Sequence, residues 1–487
     1  MAYPQGVVDV SMRLATTAKV LASAVFVSGR DAAEAFHNSA PWALHHHQLP
    51  QALAPALHYK VDEPARRVTV GVDLDRGLAR RLVEVCRATY PDVDTDWQAE
   101  EDRLASLGAL QRQAIAHGDQ GCMILPEAGS PGPAFAPVPV VSALPAAAGQ
   151  AWPMGDDPAP PADGAVAGEG AIATAVAQAM AREDELHAAI VVLRRGRIVA
   201  EAYRPGITAD TQLESWSMGK SVMSTLIGLL VGRGVLELDE PVPVPSWRAA
   251  GDPRGGITLR HLLQMGSGLR CTGHDQSRSA WAQGLPDHFL PYGTAIDVAE
   301  FALERPLEHP PGTVGRYRNC DPLALAWLFK AAVSERLGDD PLTWPQRELF
   351  DRIGVRRQTL ETDRWGRFIV SGFDYGAARN WARLGLLYLQ DGCWMGERVL
   401  PEGWVSFATR PAPHWARGNY GAQIWLNRVG EFPLPDDAFY FAGGGGQYVF
   451  VVPSADLVVV RMGHSRAYAG AKAAVSHLLS DIVAALR

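Results

Sequence analysis

Leu213-Glu-Ser-Trp-Ser-Met-Gly-Lys-Ser-Val-Met-Ser-Thr-Leu-Ile-Gly-Leu-Leu-Val-Gly232 is the stretch whose reading decides the fold. After Met218 it is apolar on nearly every face, through Val222, Met223, Leu226, Ile227, Leu229, Leu230 and Val231. A helix without a polar face is a buried helix. Ser217 therefore stands where that helix enters the core. Lys220 follows one turn later on the same face, because residues i and i+3 are neighbours. Burial and the positive helix end both disfavour an ammonium group. A neutral lysine can accept a hydroxyl proton and so activate a serine nucleophile. The plain alternative is a capping serine beside a lysine that snorkels to solvent.

Lysine usage sharpens this reading. Only five of the 45 Lys and Arg residues are lysines: Lys19, Lys60, Lys220, Lys330 and Lys472. Arginine stays protonated, so a retained lysine can be one whose chemistry arginine cannot supply. Lys220 alone has a serine three residues before it. A GC-rich genome is the bland explanation of the scarcity.

Composition bounds the rest. A chain of 487 residues, 47% hydrophobic and 20% charged, suits two globular domains or one large domain with an extension. A net charge of −8 carries no electrostatic footprint for nucleic acid. Cys86, Cys122, Cys271, Cys320 and Cys393 are odd in number and scattered, so neither a disulfide framework nor a zinc site is expected. No run approaches the roughly 18 apolar residues of a membrane span, and Met1-Ala-Tyr-Pro-Gln does not open a leader. A cytoplasmic location is the default expectation, with the periplasm the alternative if a leader was trimmed.

Residues 127–170 are rich in Pro, Ala and Gly, which favours extended backbone over helix. They divide an extension of unknown role (1–126) from a larger region (171–487). In the extension, Arg67-Val-Thr-Val-Gly-Val alternates like a strand and Leu78 to Arg87 repeats like a helix. In the larger region, Ala189 to Arg194 and Ile198 to Tyr203 flank a turn and read as a β-hairpin. Tyr448 to Val452 and Leu457 to Met462 read as another, followed by a helix from Gly470 to Leu486. Strands at both ends with helical sequence between them predict an α+β fold: an antiparallel sheet flanked by helices, with an inserted, mostly helical subdomain.

Two further motifs follow Ser217 in order. Tyr317-Arg-Asn319 is the only Tyr-x-Asn among twelve tyrosines, in a Pro/Gly-rich turn that opens a helix from Pro322 to Val333. A tyrosine in a cationic pocket can relay protons. Asn319 can hold a lysine or a substrate amide through paired donor and acceptor groups. Gly443-Gly-Gly-Gly-Gln447 precedes the late hairpin. Glycines there permit close backbone approach to a ligand, and a main-chain N–H could serve as half of an oxyanion hole, with that of Ser217 the other half. Each motif alone would pass as core, cap or loop.

Jointly, these motifs resemble the penicillin-recognising serine hydrolases of the class C β-lactamase type. Leu213 to Val222, Ile257-Thr-Leu-Arg-His-Leu-Leu-Gln-Met-Gly-Ser-Gly-Leu269, Arg379 to Leu389 and Ala442 to Pro453 resemble the 6-aminohexanoate-dimer hydrolase branch. The resemblance covers about residues 171–487, and implies a serine β-lactamase type of sandwich plus the N-terminal extension. It makes Ser217 the nucleophile, Lys220 its base, Tyr317 the relay to the leaving group and Asn319 an orienting residue. The backbone of Ser217 and of Gly444 or Gly445 would hold the oxyanion. It implies no metal or organic cofactor and a small amide or ester substrate. One departure matters. Where β-lactamases carry Lys-Thr-Gly and many esterases His-Thr-Gly, the aligned residues here are Phe441-Ala-Gly443. The cation that binds a substrate carboxylate is missing, which favours esters or uncharged amides.

Amidase, carboxylesterase and acyltransferase use the same residues, and a non-catalytic binding protein on this fold is the rival from another class. A homodimer would be unsurprising, though no residue specifies one. His45-His-His47 resembles a metal tract, but neighbours in extended chain point apart, so a solvated loop is expected. Gly168-Glu-Gly170 follows no strand and carries no nucleotide-loop reading. No Gly-x-Ser-x-Gly elbow is present. Trp216, Trp281, Tyr292 and Trp425 are candidates for an acyl pocket, although such residues are more often core.

Overall fold

The computed structural model describes residues 9–43, 49–89, 91, 94–126, 132–158, 168–273 and 286–486. Six antiparallel strands run in the order Trp425–Leu426, Phe439–Gly443, Gln447–Val452, Leu457–Gly463, His187–Arg194 and Arg197–Tyr203. Both expected hairpins form, and they meet in the middle of the sheet, where Val460 faces Val191 and Val459 faces Val192. Successive side chains point to opposite faces. Ile190, Val192, Phe450 and Val459 pack under helices Glu169–Ala181 and Ala471–Ala485, against Ile172, Val475 and Leu478. Val191, Val449, Val458 and Val460 belong to the larger core on the other side. Because both faces are covered, these strands read as unbroken apolar runs rather than alternation.

On that second face lies helix Ala378–Leu389. A Cβ on its Gly385 would come within 2.7 Å of Val458 and 2.8 Å of Val449. Glycine there lets the helix lie close on the sheet. Helices Gly219–Gly232, Val298–Leu303 and Cys320–Ala331 belong to the inserted subdomain between the two halves of the sheet.

The extension forms its own four-stranded antiparallel sheet from Leu57–Asp62, Arg67–Leu74, Gly108–Ala116 and Cys122–Ile124. Helix Arg76–Thr89 matches the expected periodicity. Helix Val10–Phe26, capped by Asp9 on Met12 N–H, packs on this sheet and shares one continuous core with residues 171–487. Its Lys19 makes a buried ion pair with Glu361. Glu361 also accepts from Ser23 Oγ (2.8 Å) and from the backbone N–H of Cys122 (2.6 Å). Residues 132–158 of the Pro-rich segment hold no helix and are pinned to the body: Val138 N–H donates to Gln120 at 2.7 Å, Ala143 N–H to Asp351 at 3.0 Å, and Arg383 donates to Pro153 O at 2.8 Å. All five cysteines are free thiols.

A buried ion pair is hard to break from one side, because the remaining charge stays desolvated and unpaired. Lys19→Met should therefore lower unfolding stability by about 3–5 kcal/mol, read from denaturant melts. A loss below about 1 kcal/mol would mean that Glu361 is held adequately by Ser23 and Cys122 alone.

Candidate active site

Ser217 sits in a tight 3₁₀ turn, Trp216–Met218, that feeds directly into helix Gly219–Gly232. Trp216 has φ +49, a left-handed conformation rare for a bulky residue. Its ring lies 5.7 Å from those of Tyr292 and Phe373, which hold the strained turn. Such strain persists only where surroundings over-determine it, and it concentrates at functional sites. A Cβ on Gly219 would sit 2.7 Å from Val370 O, so glycine lets the helix start close to the 370–374 segment.

That closeness assembles the centre. Lys220 Nζ lies 2.8 Å from Ser217 Oγ and donates to Ser371 O at 3.0 Å. Ser217 Oγ lies 3.3 Å from the same carbonyl. Lys220 is 1% exposed, and among the described residues no carboxylate pairs with it. Burial pulls its ammonium well below the ordinary lysine range, toward the neutral form. Tyr292 OH donates to Ser371 O as well, at 2.6 Å. One backbone oxygen thus gathers the serine, the lysine and a buried tyrosine. Burial pushes the Tyr292 phenol up to about 12, against hydrogen bonds from its neighbours that lower it.

Tyr317 lies in the same cleft, with its ring centroid 4.7 Å from Lys220 Nζ. Trp425 and Tyr420 pack around it at 5.1 and 5.9 Å. Asn319, expected to hold the lysine or a substrate amide, is turned elsewhere. It is fully buried at the start of helix Cys320–Ala331 and donates to Tyr292 OH at 2.8 Å and to His288 O at 2.5 Å. Its contact with the centre therefore runs through Tyr292.

The glycine run closes the hairpin between Phe439–Gly443 and Gln447–Val452. Gly445 and Gly446 have φ +79 and +81, which glycine alone adopts without strain. A Cβ on Gly443 would come 1.9 Å from Ser215 O, so the strand lies against the chain that carries Ser217. Beneath the turn is Arg461, fully buried. Its guanidinium donates to Gly446 O (2.8 Å), Gly445 O (3.1 Å), Glu185 O (2.8 Å) and His187 Nδ1 (3.0 Å). Arg461 belongs to none of the sequence motifs, and its one signal in the sequence is a lone charge within the apolar strand Leu457–Gly463. Ser371 contributes only a carbonyl and left no signal.

The resulting cleft has a volume of about 380 Å³ and is walled largely by aromatic rings. Trp216, Tyr292 and Trp425 all line it, together with Gly443 to Gly446. Trp281 and His45-His-His47 lie outside the described residues. Phe441 is buried against Tyr388, 5.3 Å between rings, and Ala442 faces the cleft, so no cation stands at the position in question. At the rim, Lys472 and Glu431 pair at 2.8 Å. Among the described residues no three His, Cys, Asp or Glu side chains group as metal ligands, and no helix is long and apolar enough to cross a membrane.

Comparison with known proteins agrees with this architecture. The family model described as Beta-lactamase matches residues 172–481. A 6-aminohexanoate-dimer hydrolase of Paenarthrobacter ureafaciens is 26% identical over 334 residues, 63% of this chain and 80% of that relative. A Bacillus anthracis structure provisionally named as a 6-aminohexanoate-dimer hydrolase superposes with a TM-score of 0.51 at 20% identity, over 63% of this chain and 80% of the other. One from Bacteroides dorei, provisionally named a β-lactamase, gives 0.50 at 18% identity, over 64% and 97%. At those identities the two structures speak for the fold. The chain belongs to the β-lactamase family and is a serine hydrolase of that fold.

Proposed function

We propose that this enzyme cleaves an uncharged amide or ester through an acyl-enzyme on Ser217. The 2.8 Å approach of Lys220 Nζ to Ser217 Oγ, with the lysine sealed from water and unpaired by any described carboxylate, carries the reading. Neutral Lys220 takes the hydroxyl proton as Oγ attacks the carbonyl carbon. The oxyanion that forms is held by the N–H groups of Ser217 and Gly444, whose turn Arg461 fixes from below. Tyr317, stacked over Lys220, passes the proton to the departing alcohol or amine. Water then attacks the acyl carbonyl and releases the acid, with the proton returning along the same path. Ser371 O orients nucleophile and base, and Tyr292 with Asn319 fixes that carbonyl. An apolar Phe441-Ala442 pair at the substrate-carboxylate position supports neutral substrates.

Ser217→Ala should lower turnover of a p-nitrophenyl ester by more than about a thousandfold, with thermal stability nearly unchanged. In stopped flow the parent should release a burst equal to the enzyme concentration, absent from the variant. Equal steady rates in both would remove Ser217 from the chemistry.

Lys220→Arg should be nearly as inactive as Lys220→Ala, because a guanidinium cannot serve as the base. A lysine whose pKa is depressed is charged below that value and neutral above it. Activity therefore needs the higher-pH form, and kcat/KM should fall as pH drops through the depressed pKa. An acid limb that survives unchanged in Lys220→Arg would assign the titration to another group.

A further inference from the structure

Residues 1–126 lie outside the matched family region, yet part of them reaches the cleft. Trp42 and Ala43 line the same cavity as Ser217. Trp42 ends a 3₁₀ turn, Ala40–Trp42, begun by Ser39 and stiffened by Pro41. Its indole N–H donates to His37 O at 2.8 Å, so the ring's one polar atom is already engaged within the extension. The ring itself is apolar surface on the wall of that cavity.

The turn is fastened to the catalytic region through Arg30. This buried guanidinium donates through one nitrogen to Ser39 Oγ (3.1 Å) and to Glu214 Oε2 (3.2 Å), and it grips Glu34 through the other two (2.9 Å each). Glu214 is buried three residues before Ser217. One arginine thus sets the turn of Trp42 against the strand of the nucleophile. A second tie runs from Thr16 Oγ1 to Tyr292 O at 3.0 Å, where Gly293 leaves no room for a side chain between Met12 and Thr16. An extension that served only as an appended module would have no need to touch the nucleophile strand, Tyr292 and the cavity together.

The chemistry of the walls indicates what Trp42 meets. Rings of Trp216, Phe289, Tyr292 and Trp425 surround the cavity. Its two rim charges, Glu431 and Lys472, neutralise each other. Building on the hydrolase reading above, we propose that Trp42 is a specificity-determining residue that supplies apolar contact to the acyl group, so that the enzyme prefers esters or amides of longer, uncharged, apolar acids.

The test compares kcat/KM for p-nitrophenyl hexanoate and p-nitrophenyl acetate in the full-length parent and in Trp42→Ala. The hexanoate-to-acetate ratio should fall about tenfold, with the loss in KM, about the discrimination one methylene contributes in an apolar pocket. Trp42→Phe should restore most of the ratio. Trp42→Gln, which puts a polar amide in place of the ring, should not, and far-UV circular dichroism identifies any variant that fails to fold. If ester turnover is too slow to read, rates of labelling Ser217 with short-chain and octyl fluorophosphonates provide the same ratio. A ratio unchanged or raised in Trp42→Ala overturns the assignment while leaving the hydrolase intact. A parent that neither turns over ester nor takes the label removes the hydrolase reading, and this proposal with it.

Discussion

The carbonyl oxygen of Ser371 is the constraint on which the centre depends. Ser217 Oγ, Lys220 Nζ and Tyr292 OH all lie within hydrogen-bond reach of it. An amide carbonyl accepts without carrying a full charge. It can orient a lysine without stabilising the ammonium, as a carboxylate would. Burial then shifts the balance toward the free amine. An acidic partner in place of the carbonyl would pair the lysine, raise its pKa and keep it protonated. The carbonyl of one peptide group thus orients a side chain 151 positions away.

The same economy recurs under the glycine turn. Arg461 is a fully buried cation whose partners are carbonyls and an imidazole rather than an ion pair at the site. Desolvation lowers its pKa to about 10, still well above neutrality, so it remains charged and holds its acceptors strongly. The glycines above it satisfy two demands at once. Their positive φ closes the hairpin, and their missing side chains make room for the guanidinium, since a Cβ on Gly446 would come 2.3 Å from it. A stiff turn beside Ser217 is suited to stabilising a developing charge, because preorganised donors need not reorient during a reaction.

The extension extends this logic to the periphery. Its ion pair between Lys19 and Glu361 and the link from Arg30 to Glu214 are both buried, where removing one partner is costly. Charged pairs of this kind specify position more than they add stability. They set helix Val10–Phe26 and the turn Ala40–Trp42 in fixed register against the segments that carry Glu361 and Glu214.

Much of this was legible beforehand. The apolar run after Met218 required a buried helix, which put Ser217 and Lys220 one turn apart. The two hairpins and the closing helix followed from periodicity, because secondary structure and burial are written locally, in residue type and spacing. Tyr317 and the glycine run could be assigned to the same cleft through their resemblance to a family. Asn319 could not be oriented in this way, and its amide faces Tyr292 and His288 rather than the lysine. Ser371, Arg461 and the reach of Trp42 into the cleft were decided by tertiary structure alone. A backbone carbonyl has no residue signature, and contacts across 151, 184 and 276 positions leave no trace in local periodicity. The sequence by itself determined which groups could do chemistry; packing determined which of them meet.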